Sequence, residues 1–467
     1  MTALAAGLRA LVAEAPDAPA VTDDDRTVTR AELDTLTDRL AREFAARGVG
    51  LGDFVSIGLP SGIEHVAASV AAWKLGAVPQ PLSHRLPPAE LAALLELADP
   101  PLVVGLEPAD GRAWLPPGFV PTAPAGPLPD VEGPSWKAPT SGGSTGRPKL
   151  IVSGWPGSLE GVRDRADGLR ITRDGTMVVT APLYHNAPYM FSLIALMQGQ
   201  HVVLMGRFDA GRALALVERH HATWLYVVPT MMGRILRLPD PRGHDLSSLR
   251  TVMHVGAPCP PHVKRGWIDL VGPDVLVELY AGTESQASAM IDGHAWLAHP
   301  GSVGQVTRGR MKICDAAGDE VAPGVVGEVW MRPDGPPTYR YVGARPRERD
   351  GWDSLGDMGH IDADGWLYLA DRRTNMILVG GANVYPAEVE AALAEHPSVR
   401  DSAVVGRPDE DYGQVVHAIV HLDGPLDADA LRAHLATRLA PYKIPRTFAA
   451  SPVPLRDDAG KIRRSVL

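Results

Sequence analysis

The stretch APTSGGSTGRPKL, residues 138–150, sets two serines, two threonines, three glycines and a lysine between Lys137 and an apolar run that opens with Leu150. So many short hydroxyls and bare backbone amides suit an anion, above all a polyphosphate. Gly142, Gly143 and Gly146 let the main chain approach a ligand closely and take positive φ where needed. Successive N–H groups in such a loop form a concave nest for phosphate oxygens. Thr140, Ser141, Ser144 and Thr145 add hydroxyl donors, and Lys149 adds a point charge. By composition alone a flexible linker fits equally well. The pattern is not the common G-x-x-x-x-G-K-[ST], because Arg147 and Pro148 stand between Gly146 and Lys149. That argues against a kinase or ATPase of that type.

The rest of the chain narrows the choice. With 467 residues it exceeds what one hydrophobic core holds, so two or more domains are expected. Hydrophobic residues at 45% and charged residues at 21% are ordinary for a soluble globular enzyme. Lys and Arg number 45 against 55 Asp and Glu, a net charge of −10 with no basic block, which argues against nucleic acid as a partner. Cys259 and Cys314 have no metal-ligand spacing and make no disulfide framework, as in a reducing compartment. The N-terminal segment reads as an amphipathic helix rather than a signal peptide, and no apolar run approaches the roughly 18 residues of a spanning helix. A cytoplasmic location is expected.

Apolar runs such as FVSIGL (54–59), TMVVTAPL, HVVLMG, TWLYVVP, RTVMHVG and DVLVELY alternate with helix-like segments. Continuous Val/Leu runs without polar alternation indicate strands covered on both faces, hence mostly parallel sheets flanked by helices. The Pro-rich segment 108–134 reads as a long surface connection. After about residue 310 short strands joined by Gly and Asp turns suggest a small antiparallel or barrel-like piece, and the last hundred residues suggest a small α+β domain.

Further segments sharpen the loop's meaning: LYAGTES (279–285), SLGDMGHIDADGWLYLADRRTNMILVGGANVYPAEVE (354–390) and AGKIRRSVL (459–467). PLYHN (182–186), GAP (256–258) and GEV (327–329) accompany them. In this order the chain resembles, over nearly its whole length, the adenylate-forming superfamily of acyl-CoA ligases, luciferases and peptide-synthetase adenylation domains. It looks most like the ligases for fatty, aromatic or bulky polycyclic acids, the bile-acid type included. The resemblance implies a large N-terminal domain over residues 1–372 and a small mobile C-terminal domain over 373–467, with a hinge near Thr374. It implies ATP, Mg²⁺ and CoA as cofactors: a carboxylic acid is joined to AMP with loss of pyrophosphate, and a thiol then displaces AMP.

The same resemblance distributes roles. Thr140 to Gly146 and Lys149 would hold the β- and γ-phosphates, Thr283 would lie near the α-phosphate, and Glu284 would help hold Mg²⁺. Asp357 would accept from the ribose hydroxyls, with Leu355 standing where the family has Thr. Arg372 would contact ribose or phosphate, and Tyr280 would flank the adenine. Lys461 would bridge the acid and the α-phosphate as charge develops, and His185 would gate the carboxylate pocket. Thr374 and Asn375 depart from the acidic or basic residues usual at the hinge. After rotation Gly380 and Gly381 would line the tunnel for the thiol arm. Tyr184, Val227, Met231, His254, Gly256 and Ala257 would wall the acyl pocket, with the small pair leaving room for a sizeable acid. No fixed charge answers a substrate amine. Beside a full ligase, three alternatives stay open: a thiolation-only enzyme, an enzyme loading a separate carrier protein, and a non-catalytic nucleotide-binding protein. A homodimer is also open.

Overall fold

The computed structural model of the chain describes residues 2–24, 26–142, 148–379, 382–458, 460–462, 464 and 467. Its largest sheet has fourteen strands. Pro19–Thr22, His201–Leu204, Thr176–Val179, Trp224–Val227, Thr251–His254 and Leu276–Ala281 lie side by side in that order, every pair parallel. These are the continuous Val/Leu runs, and their residues are almost entirely buried, as strands with both faces covered must be. Two largely buried helices serve the same core. Ile63–Lys74 buries every residue but Glu64, and Asn186–Gln198 buries Phe191, Leu193, Ile194 and Leu196. A second, wholly parallel sheet orders Val78–Pro81, Phe54–Ile57, Leu102–Val104 and Ala113–Leu115.

Beyond Leu276–Ala281 the large sheet turns antiparallel through Ser288–Asp292, Ser302–Arg308, Leu367–Arg372, Trp352–Ile361, Gly327–Arg332 and Arg310–Cys314. The antiparallel piece therefore begins at Ser288, earlier than the change of texture near residue 310, and it continues the large sheet. It has its own core of Ala289, Ile313, Val329, Met331 and Leu367. Past Arg372 the strands belong to a separate five-stranded sheet, built on Ile377–Val379, Val399–Asp409 and Gly413–Leu422. Val389, Leu393, Leu431 and Leu435 from two helices close its core.

The opening stretch forms a hairpin. Thr140–Gly142 and Pro148–Ser153 pair antiparallel, and Tyr339–Val342 adds a third strand on the far side. Gly143, Ser144, Thr145 and Gly146 lie outside the described residues, as do Gly380 and Gly381.

Where the sheet turns antiparallel, Gly304 has φ +107° and a Cβ there would stand 1.9 Å from the Met290 carbonyl oxygen. Gly304→Ala is expected to destabilise the protein by at least about 2 kcal/mol, read as a lower denaturation midpoint in urea.

Candidate active site

Glu284 is the centre of the site. It follows Leu276–Ala281 in a tight turn closed by Ser285 N donating to the Gly282 carbonyl at 3.1 Å. Ser285 sits at φ +57°, a strained conformation for a residue with a side chain. Leu355 packs on Gly282, where a Cβ would lie 2.2 Å from Leu355 Cδ1 and would have to displace that side chain. Leu355, the residue that departs from the family pattern, thus presses on the turn and leaves the Asp357 carboxylate alone. Thr283 is half-buried on the same turn, and Thr338 Oγ1 donates to the Glu284 carbonyl at 2.7 Å.

Glu284 is 6% exposed, and a carboxylate so buried needs answering groups. Tyr341 Oη donates to its Oε1 at 2.5 Å, and Lys149 Nζ stands 3.5 Å from the same oxygen. Lys149 also lies 3.8 Å from the Tyr341 ring centroid, a cation–π contact. Burial holds the Lys149 ammonium below its usual range; Glu284 opposes this and Arg372 adds to it. Burial and then Glu284 keep the Tyr341 phenol protonated far above its ordinary range, so it remains a donor.

Asp357 and Arg372 face each other across paired strands, and Arg372 Nε lies 3.1 Å from Asp357 Oδ1. Tyr280 Oη donates to Asp357 Oδ2 at 2.7 Å; burial and the Asp357 charge raise its pKa well above normal. Lys461 arrives from the small domain. Its side chain is exposed, and desolvation followed by Arg372 lowers its pKa, with Asp457 and Glu284 opposing. The structure therefore gathers Lys149, Glu284, Tyr280, Asp357, Arg372 and Lys461 from separate segments into one cleft. Tyr184 and His185 reach the same small-domain turn through Asp458.

Val227, Met231 and His254 are packed within the core, Val227 and His254 on adjacent strands in register. His254 is neutral, its pKa pushed far down by burial and Lys264, and neither ring nitrogen has a hydrogen-bond partner among the described residues. Beside it Lys264 and Glu278 form a buried ion pair. Gly256, at φ +90°, is exposed and Ala257 half-buried. Thr140 and Ser141 open the hairpin opposite Leu150 and Lys149.

Three partners escaped the motif reading. Tyr341 belongs to a strand with no motif of its own. Asp371 accepts from Arg372 N at 2.6 Å, Asn375 Nδ2 at 2.9 Å and Ala387 N at 2.8 Å, pinning the turn after the large sheet to the first turn of the Pro386–Ala394 helix. An Asp at 375 would set two carboxylates together, which explains the Asn. Lys137, just before the quoted stretch, was legible as a charge inside an apolar run. It is 2% exposed and its Nζ bonds Asn186 Oδ1 at 2.5 Å.

A metal among these residues would depend on its ligand. No group of three or more His, Cys, Asp or Glu that could hold an ion occurs among the described residues. One carboxylate fits a magnesium ion that takes its remaining ligands from nucleotide phosphates and water.

Burial lowers the Lys137 pKa from 10.5 to about 7, with Arg165 adding to the effect and Glu284 opposing it. Between these values the unfolded chain binds more protons than the folded one, so stability rises with pH through that window. Lys137→Met is expected to stabilise the fold most near pH 6, on the order of 3 kcal/mol, with the gain fading toward pH 10. Thermal melts of both proteins across that range check it.

Comparison with known proteins agrees with this geometry. The AMP-binding enzyme family model matches residues 8–124 and 138–337, and the AMP-binding enzyme C-terminal domain matches 388–455. Feruloyl-CoA synthase of Amycolatopsis sp is 34% identical over 458 residues, 92% of this chain and 91% of that protein. Sulfoacetate–CoA ligase of Cupriavidus necator is 30% identical, covering 99% and 96%. The structure of o-succinylbenzoate CoA synthetase (MenE) from Bacillus subtilis, in complex with its acyl-adenylate intermediate, superposes with TM-score 0.86 at 27% identity over 98% and 97% of the two chains. The same synthetase has been solved with ATP and a magnesium ion. The chain belongs to the AMP-binding enzyme family, within the adenylate-forming superfamily of AMP-forming ligases.

Proposed function

We propose that the chain is an acyl-CoA ligase for a bulky hydrophobic carboxylic acid. The acid's carboxylate oxygen attacks the α-phosphorus of ATP, the bond to pyrophosphate breaks, and an acyl-adenylate forms. The thiol sulfur of CoA then attacks the acyl carbon, the bond to AMP breaks, and the thiol proton leaves to solvent. The observation that carries the reading is the convergence of Lys149, Arg372 and Lys461 on a cleft that also holds Glu284 and Asp357. Cations aimed where negative charge develops stabilise a phosphoryl-type transition state.

Within that reading Lys149 and the hairpin bind the β- and γ-phosphates, and Asp357 orients the ribose. Lys461 holds the acid against the α-phosphate. Mg²⁺, bound beside Glu284, would neutralise phosphate charge. Glu284 shares an oxygen with Lys149 and Tyr341, so binding a cation there exchanges one positive partner for another. Residues 1–372 and 373–467 act as the two domains, turning about Thr374 between the two half-reactions. His185 gates the acid. Small Gly256 and Ala257 leave room for a large acyl group, and the feruloyl-CoA relative is in keeping with it, whereas Val227, Met231 and His254 are buried in the core and add no open wall. Use of ATP and CoA supports a cytoplasmic location.

ATP-dependent AMP release should be followed with ferulic, benzoic, palmitic, cholic and sulfoacetic acids, with and without CoA. AMP and acyl-CoA are expected together with one of the first four. Lys461→Ala should slow the ATP-driven step by about 100-fold or more. Thioester formed only from a synthetic acyl-adenylate would make the protein a thiolation enzyme. ATP binding without turnover of any acid or adenylate would make it a binder. Sulfoacetate as the best acid would overturn the reading of a bulky hydrophobic substrate.

A further inference from the structure

The turn that carries Lys461 touches the large domain a second time. Tyr184 Oη reaches both carboxylate oxygens of Asp458, at 2.8 Å each, and His185 Nε2 lies 3.3 Å from Oδ1. The Tyr184 and His185 rings lie 4.3 Å apart, so one carboxylate grips a pair of adjacent side chains at the start of the Asn186–Gln198 helix. Burial would raise the Asp458 pKa, but the hydrogen bonds from His185 and Tyr184 outweigh it and leave the group below its ordinary value. It is a charged acceptor at neutral pH, and such bonds are the stronger kind.

Asp458 and Lys461 cannot move independently. Asp457 N donates to the Lys461 carbonyl at 2.9 Å, and Lys461 N donates to Asp457 Oδ1 at 2.9 Å. The turn is braced to the body of the small domain by Arg456. Its guanidinium reaches Asp401 Oδ1 at 3.0 Å, Glu390 Oε2 at 2.9 Å and the Gly460 carbonyl at 3.2 Å. Leu455 N and Arg456 N add bonds to Asp401 Oδ2 at 2.8 and 2.9 Å. A movement of the small domain therefore carries both side chains at once.

We propose that Asp458 is a positioning residue, a latch across the two domains: through Tyr184 and His185 it holds the small domain where Lys461 enters the phosphate cleft, and it fixes the His185 ring by the same contact. This rests on the roles proposed above for Lys461 and His185. With the latch closed, the gate and the lysine are set together for activation of the acid. When the small domain turns away, His185 loses the carboxylate at the same moment that the cleft loses its lysine. Transfer to the thiol then proceeds without either contact.

Two measurements test the latch. The first needs no substrate: limited trypsin digestion after Arg372 or Arg373, both exposed at the interdomain turn, with fragments identified by mass. Asp458→Ala and Tyr184→Phe should be cut there about tenfold faster than the native protein, because an opened orientation is more populated. The second uses whichever acid of the panel releases most AMP. ATP–pyrophosphate exchange should fall about tenfold in Asp458→Asn, equally in Tyr184→Phe, and no further in the double variant. Transfer to CoA from the synthetic adenylate should stay within about twofold in Asp458→Asn. Equal slowing of both half-reactions, or losses that multiply in the double variant, would overturn the latch. If no acid is activated at all, the proposed function fails while the trypsin comparison still decides the latch: unchanged cleavage refutes it.

Discussion

A carboxylate buried as deeply as that of Glu284 must be met by donors and positive charge, and that requirement ties the site together. Leaving such a charge alone in the interior costs several kcal/mol. The chain answers with Lys149 from one strand of the three-stranded sheet and Tyr341 from another, while Glu284 itself comes from the end of the large sheet. Two sheets with no hydrogen-bonded ladder between them are thereby held to one geometry. Once they are, Lys149, Arg372 and Lys461 converge on one cleft, and a polyphosphate suits such a group of cations.

The two domains are coupled by a few polar contacts. Asp371 fastens the last strand of the large sheet to a helix of the small domain, with its carboxylate accepting three donors. Arg456 stiffens the turn that delivers Asp458 and Lys461. The apolar cores of the two domains are distinct clusters. Charged hydrogen bonds at Asp371 and Asp458 join the two, and such contacts suit an enzyme that presents one site to two successive reactions.

Much of this was legible in the sequence, because it depends on local chemistry. Unbroken Val/Leu runs announced parallel strands, and the order of short motifs announced Lys149, Glu284, Asp357, Arg372 and Lys461 as a set. What stayed hidden depends on pairing across long separations. Tyr341 meets Glu284 only because its strand adds to the far side of the hairpin, and Asp458 meets Tyr184 across 274 positions. No periodicity encodes such a meeting. The start of the antiparallel region was misjudged for a related reason: Ser288–Asp292 is a short strand with polar ends, and only its pairing reveals the change. The Asn at 375 looked like a departure from the pattern until its neighbour Asp371 gave it a physical reason.

The most direct test of the Glu284-centred cleft is calorimetric binding of ATP in the presence and absence of Mg²⁺, to the native protein and to Glu284→Gln, with no acid added. One ATP per chain is expected, bound more tightly with Mg²⁺, and the substitution should abolish that Mg²⁺ dependence while leaving the fold intact by circular dichroism. ATP binding that ignores Mg²⁺ in the native protein, or that is unchanged by Glu284→Gln, would contradict the placement of the nucleotide at this carboxylate.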